Sequence, residues 1–222
     1  MGDARPALVA FDAECAALVH ALEDLTSDDW NRPTNCPPWD LHELVVHIAF
    51  SVRLPDAVMV TDEPPGATAV DYYRRPERAT TGYRSDNVER TQRAARRVER
   101  GDAASLVKRV SAATSATFAS LAPDRTLEAA RRKLTVDDYA LTRLMSVAAH
   151  GVDVAITLSR PPWTTQDALD ALRPVLVDLL GETPPSAWTD QDLLELGTGR
   201  RMLTAADTSA LGSAVARFPL LS

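Results

Sequence analysis

Two histidines occur inside otherwise apolar stretches, about a hundred residues apart. His47 lies in LHELVVHIAF (residues 41–50), and His150 lies in RLMSVAAHGVD (residues 143–153). An imidazole is costly to bury without a polar partner, and neutral imidazole is the side chain that most often binds transition metals. A metal ion shared by His47 and His150 is one explanation, and two separately hydrogen-bonded core histidines are the other.

Both histidines belong to polar stripes with helical spacing. On the later stretch, six polar residues follow one another at steps of three and four: Tyr139, Arg143, Ser146, His150, Asp153 and Thr157. The earlier stretch repeats the pattern with Asp40, Glu43, His47 and Ser51. Such residues share one helix face, and two facing stripes in a bundle predict a polar cavity. His150 with Asp153, or His47 with Glu43, could serve there as a catalytic acid–base pair.

Other charged and basic residues are predicted to be solvent-facing. His20 and His42 are most simply surface or cap residues, because neither is centred in a polar stripe. Residues 89–100 contain several arginines interleaved with acids at helical spacing, which is typical of a solvated helix face.

The elements that must position these residues are predicted to be helices. Aromatic residues make up 5% of the chain and sustained β-branched alternation is missing, which favours an all-α bundle. The pattern predicts four main helices, and Pro174 is expected to kink or split a later one. The main helices cover residues 5–25, 40–53, 85–121 (broken near 101–102) and 135–158, and the later ones cover 164–180, 190–196 and 204–218. Residues 55–84 are predicted to form a long surface loop, which often contributes to a site. We expect a bundle domain over residues 1–160 and a short helical C-terminal extension over 161–222 that packs on it.

Composition narrows the functional classes. The net charge of −7 disfavours a general role on nucleic acid. No apolar run approaches the ~20 residues that span a membrane, and the N-terminus has no export signal, so a cytoplasmic protein is expected. The only cysteines, Cys15 and Cys36, are expected to be free thiols. A helical chain of this size could also form a homodimer.

Several of these residues also form a family pattern. Cys36-Pro37-Pro38-Trp39 precedes Glu43 and His47, and the later stretch combines Arg143, His150-Gly151 and Asp153. In this the chain resembles the DinB-like superfamily, in particular its mycothiol-dependent maleylpyruvate isomerase-like branch, in a short form without the full C-terminal domain. The resemblance implies a DinB-like four-helix bundle.

The resemblance also implies a divalent metal such as zinc, nickel or iron. Family members hold it with a histidine at the position of His47, a glutamate at that of Ser146 and a histidine at that of His150. The serine is a poor substitute for a carboxylate. Three outcomes stay open: a weaker site completed by water or substrate, a site that recruits Glu43 or Asp153, or a pocket without metal.

The function implied by the resemblance is that of a mycothiol-linked transferase or isomerase. It would act on a small electrophilic metabolite together with a low-molecular-weight thiol, and Arg143, Ser146 and Arg200 would bind substrate or thiol. Two alternatives use the same cavity: a metal-independent acid–base enzyme of specialised metabolism, and a non-catalytic small-molecule-binding module.

Overall fold

Four helices form a bundle in the computed structural model, which describes residues 5–54, 58–129 and 132–221. The helices in these ranges are α1 (Pro6–Leu22), α2 (Leu41–Val52), α3 (Ala69–Tyr73), α4 (Thr81–Ala95), α5 (Ala103–Ala119), α6 (Val136–Thr157), α7 (Gln166–Leu180), α8 (Asp190–Gly197) and α9 (Ala205–Leu211). Helices α1 and α2 each pack against both α5 and α6. The predicted all-α, DinB-like bundle is therefore confirmed.

The bundle core is built from apolar residues that recur on the inner helix faces. Its fully buried large side chains include Phe11, Leu18, Leu41, Leu44, Ile48, Phe118, Leu144 and Met145. Phe11 of α1 meets Phe118 of α5 edge to face, with ring centroids 6.2 Å apart. This packing fixes α2 and α6, which carry the two histidines, side by side.

Side-chain caps set where the two histidine helices begin. Asp40 accepts a hydrogen bond from the Glu43 amide, and the Glu43 carboxylate accepts one from the Asp40 amide. At the start of α6, the Thr135 hydroxyl accepts from the Asp138 amide. Both predicted helix starts are thus confirmed, and each fixes the rotation of its polar stripe relative to the core.

A small antiparallel sheet was not anticipated. It has the order β1 (Met59–Thr61), β2 (Thr126–Ala129) and β3 (Arg132–Thr135), and β3 runs directly into α6. Strands of three or four residues are too short to show a period of two clearly. Residues 55–84, predicted as a loop, therefore contain β1, α3 and the start of α4; residues 55–57 lie outside the described residues.

Helix α4 packs against α2, with only the small side chains of Thr91 and Ala95 buried. His42 lies beneath it, and the prediction of a surface or cap role for His42 is wrong. It is 5% exposed, and its Nε2 is 3.2 Å from the carbonyl oxygen of Ala95. That carbonyl belongs to the last residue of α4 and also accepts a hydrogen bond from the backbone amide three residues later. His20 is exposed beside Glu23, as predicted.

The C-terminal extension begins with α7, which packs against α1, α6 and α8. Of the two expected effects of Pro174, the split is wrong, since α7 continues through it, and the kink stays a prediction. Pro174 lies on the exposed face, where water can hydrate the carbonyl group that loses its helical donor. The boundary between two domains near residue 160 stays a prediction. Across the described residues, no helix combines the length and apolar character needed to cross a membrane.

Candidate active site

His47 and His150 meet at the wall of a cavity of about 630 Å³ between α2, α4 and α6. Their ring centroids lie 4.9 Å apart, with the ring planes perpendicular. The prediction that the two polar stripes face each other is confirmed for this pair. Tyr139, Arg143 and Asp153 of the later stripe are buried, as an interior track requires.

His150 belongs to a charged cluster. Its Nδ1 is 2.8 Å from Oδ2 of Asp153, which lies one turn further along α6. Arg200 reaches the same carboxylate with Nε, 3.1 Å from Oδ1, and with Nη2, 2.7 Å from Oδ2. The side-chain amide of Asn35 donates to Oδ1 at 2.8 Å. Three side chains therefore hold Asp153, which is 1% exposed.

These contacts determine the charge of Asp153 and the tautomer of His150. Burial alone would raise the pKa of Asp153, but the hydrogen bond from His150 and the charge of Arg200 hold that pKa far below its usual value. The ionised carboxylate can only accept, so Nδ1 of His150 donates. The Nη2 of Arg200 lies 3.4 Å from that nitrogen and cannot donate to it as well. When the ring is neutral, its lone pair is therefore on Nε2.

His47 has a different environment, made of hydroxyls and an aromatic ring. Its Nδ1 is 3.2 Å from the Thr91 hydroxyl of α4, and its Nε2 is 3.1 Å from the Ser51 hydroxyl. The Trp39 ring stacks on it at 4.4 Å, tilted by 30°. Burial and then the charge of His150 lower the pKa of His47 well below its usual value, so the imidazole is neutral at pH 7.

Basic side chains line the cavity, and one of them, Arg200, is paired with Asp153 behind the wall. Among its described lining residues, four are arginines and none is an aspartate or glutamate: the arginines are Arg53, Arg90, Arg143 and Arg200. Arg143 is 8% exposed and donates to the Ser51 carbonyl, the Tyr72 hydroxyl and the Thr142 hydroxyl. Within the described residues, no ion pair neutralises it. In a chain of net charge −7, this cavity is suited to an anionic ligand.

Aromatic side chains complete the wall. Trp39, Phe50, Tyr72, Tyr73 and Tyr83 all contribute to it. Three of them come from residues 55–84, the segment predicted to be a long loop that contributes to a site. The wall therefore combines aromatic surface, which can pack against a ligand, with guanidinium groups, which can pair with a negative charge.

The structure gathers most, but not all, of the residues selected from the sequence. His47, Arg143, Ser146, His150 and Arg200 line the cavity, and Asp153 lies directly behind His150. Glu43 is not brought to this cluster, because its carboxylate is used in the cap of α2.

Sequence reasoning missed Asn35, Thr91 and Tyr72. Thr91 and Arg90 fall in the run 89–100, interpreted as a solvated face. That interpretation holds for Glu89, Arg90 and Arg93, which are exposed, and is wrong for Thr91, which is buried against His47. A period of 3.6 applied to α4 would have placed Tyr83, Asn87 and Arg90 on one face.

Cys36 lies beside the charged cluster as a free thiol, and Cys15 is also free, as predicted. Burial, followed by the charge of Asp153, raises the pKa of Cys36 to about 12. Cys36 is therefore a neutral thiol at physiological pH and a weak nucleophile.

The residues can be tested against the divalent metal that the resemblance implies. The family-type set of His47, Ser146 and His150 supplies no carboxylate, and both ring nitrogens of His47 already contact hydroxyls. A second group, Cys36, His150 and Asp153, could hold a metal ion by spacing, since its ligand atoms lie within 4.8 Å of one another. Its carboxylate, however, is already paired with the guanidinium of Arg200. Neither set fits a resident divalent cation.

Comparison with known proteins agrees with the fold. The family model described as "Mycothiol maleylpyruvate isomerase N-terminal domain" matches residues 11–155, which include most of α1, all of α2 to α5 and nearly all of α6. No curated protein and no solved structure gives a significant match. The matched region is more than half of the chain and contains both histidine helices. The chain belongs to the mycothiol maleylpyruvate isomerase N-terminal domain family.

Proposed function

We propose that this protein is a mycothiol-linked transferase or isomerase that acts on a small, anionic electrophile. The observation that carries the proposal is the cavity itself, where the His150–Asp153 pair and four arginines converge and no described acid lines the wall. A thiol supplied by a small molecule suits this site, because its own Cys36 stays protonated.

His150 is the proposed base. With Nδ1 donating to Asp153, Nε2 accepts the thiol proton, and the resulting imidazolium is stabilised by the carboxylate. The thiolate then attacks the electrophilic carbon and forms a C–S bond.

Two outcomes follow from that C–S bond. In a transfer reaction, the leaving group departs with its bonding electron pair. In an isomerisation, the π electrons of the C=C bond move to a conjugated carbonyl oxygen, rotation occurs about the single bond, and elimination regenerates the thiol.

Arg143 is the proposed anchor for the substrate carboxylate. Its guanidinium is held by the Ser51 carbonyl and the Tyr72 hydroxyl, so it is preorganised at the cavity wall. A guanidinium that keeps its charge among uncharged partners gains most from a ligand carboxylate. Ser146, one turn from both Arg143 and His150 on α6, is proposed to contact the same ligand.

The alkylation of mycothiol by iodoacetate tests this proposal without knowledge of the natural substrate. Iodoacetate carries a carboxylate and iodoacetamide is its neutral counterpart, so the protein should accelerate S-alkylation of mycothiol by iodoacetate more. Mass spectrometry of the mycothiol product measures both rates separately from any alkylation of Cys36. Maleylpyruvate, named in the family description, should be assayed in parallel for isomerisation.

Matched histidine variants provide the control. The variant His150→Asn should lose about 10²–10⁴-fold of the rate, whereas His20→Asn, at an exposed position, should lose none. The proposed role of His150 would be refuted if wild type and His150→Asn accelerated the alkylation of mycothiol by each agent to the same extent.

The second candidate is an acid–base enzyme that uses His150 and Asp153 directly on a metabolite, without a thiol. The same 2.8 Å contact supports it. Turnover of a carboxylate substrate that is unchanged when mycothiol is omitted would favour this candidate. Ligand binding without turnover, in turn, would favour the non-catalytic module.

A further inference from the structure

Arg200 lies at the point where the polar stripes converge. Its guanidinium contacts both oxygens of Asp153 at 3.1 and 2.7 Å and approaches Nδ1 of His150 at 3.4 Å. Asp153 and His150 belong to the group that could hold a metal by spacing, and His150 belongs to the family-type set as well. A positive charge of the protein is therefore already in contact with the groups that a divalent ion would need.

We propose that the guanidinium of Arg200 replaces the divalent metal in this pocket, so that the protein works as a metal-independent member of its family. The charge balance supports this. Asp153 and Arg200 neutralise each other, Ser146 contributes no charge where the family has a glutamate, and His47 and His150 are neutral ligand types. A divalent ion would have only one carboxylate, which it would share with a guanidinium a few ångströms away.

The C-terminal extension is built to hold Arg200 in this position. Its Nη1 donates to the Thr198 carbonyl at 2.7 Å, and its amide donates to the Glu195 carbonyl at 2.7 Å. Gly199 precedes it with φ +76°, and a Cβ there would meet the Pro219 side chain at 3.2 Å. Only glycine adopts this turn without strain, so the turn that directs Arg200 depends on Gly199.

Arg200 also lies outside the region matched by the family model, which ends at residue 155. The bundle thus contributes Asp153 and His150, while the extension contributes the cation. This assignment does not depend on the proposed reaction, since it concerns what neutralises Asp153 and not which substrate is bound.

The proposal is tested by measuring metal binding in wild type and in a variant that restores the missing carboxylate ligand. Wild-type protein incubated with Zn²⁺ or Ni²⁺ and desalted should retain well under one equivalent by elemental analysis. The variant Ser146→Glu/Arg200→Ala restores a carboxylate and removes the competing cation. It should retain close to one equivalent and bind Zn²⁺ at least ~10²-fold more tightly in calorimetric titration.

Three controls make the result decisive. Adding His47→Ala to the double variant should abolish the gained binding, and Ser146→Glu alone should gain less than the double variant because Arg200 remains. If the double variant fails to fold by circular dichroism, Arg200→Met alone should still increase Zn²⁺ binding at Cys36, His150 and Asp153. The proposal would be overturned by stoichiometric metal in wild type, or by folded variants that gain none. Absence of thiol activity in wild type, both with and without added metal, would contradict the proposed function alone.

Discussion

Two carboxylates in this molecule are equally buried and yet behave in opposite ways. Asp153 of α6 and Glu14 of α1 are each 1% exposed. The pKa of Asp153 is lowered, whereas burial raises the pKa of Glu14 despite a hydrogen bond from the Thr165 amide at 2.8 Å. Burial alone therefore does not decide the charge state of a carboxylate in this protein.

The difference lies in the partners. Asp153 receives hydrogen bonds from a guanidinium, an imidazole and an amide side chain, which together outweigh its desolvation. Glu14 has no described cationic partner and serves to join α7 to α1 through Thr165. A network with its own positive charge marks the candidate site, whereas hydrogen bonds from one uncharged residue, Thr165, mark a structural joint.

Of the variants that test this difference, Asp153→Asn should have the largest effect on turnover and on stability. An amide cannot accept from Arg200, His150 and Asn35 as an anion does, and it leaves a half-buried guanidinium unpaired. We expect turnover to fall about 10³-fold and the free energy of unfolding to fall by about 3 kcal/mol at pH 7. Product formation and denaturant titrations measure the two effects.

The pH dependence of that stability loss has a defined sign. Because the pKa of Asp153 is lower in the folded state, its stabilising contribution is present above the unfolded-state pKa, near ~4, and is lost as pH falls below it. The difference in unfolding free energy between wild type and Asp153→Asn should therefore shrink below pH 4. A difference that stays constant from pH 3 to pH 8 would contradict an ionised Asp153.

The variant Asn35→Ala should have an intermediate effect on turnover. It removes one of the three donors to Asp153 and leaves Arg200 and His150 in place. Loss of one hydrogen bond to a charged group predicts about tenfold lower turnover. The neighbouring exchange Asn31→Ala, at an exposed position, is the control and should leave turnover unchanged. An Asn35→Ala enzyme with wild-type turnover would show that Arg200 and His150 suffice.

The helices and their polar stripes could be predicted from the sequence because periodicity is a local property. His47, His150 and Asp153 stand at helical spacing on long apolar helices with capping residues, so their faces were determined before any tertiary contact.

Contacts between distant segments could not be predicted in this way. Asn35 reaches Asp153 from a loop 118 residues earlier, and Arg200 reaches it from a turn 47 residues later. Neither position has a periodic signal. His42 and Thr91 were assigned to the surface because the docking of α4 on α2 is a tertiary event, which composition and spacing do not encode.

The variant Glu14→Gln should have the smallest effect on the free energy of unfolding, and it should raise this free energy where Asp153→Asn lowers it. Its amide oxygen can still accept from the Thr165 amide, and the buried charge is removed. Because the pKa of Glu14 is higher in the folded state, ionisation costs stability as pH rises above the unfolded-state value near ~4.3. Glu14→Gln should therefore stabilise the protein by about 1 kcal/mol at pH 7.5, and this gain should vanish below pH 4.

The variant Glu14→Ala, which also removes the acceptor for Thr165, separates the charge from the hydrogen bond and should be destabilised at both pH values. Denaturant titrations of the three proteins at pH 4 and pH 7.5 give the comparison. A Glu14→Gln protein less stable than wild type at pH 7.5 would mean that Glu14 has a cationic partner after all, and that the two carboxylates differ in degree and not in kind.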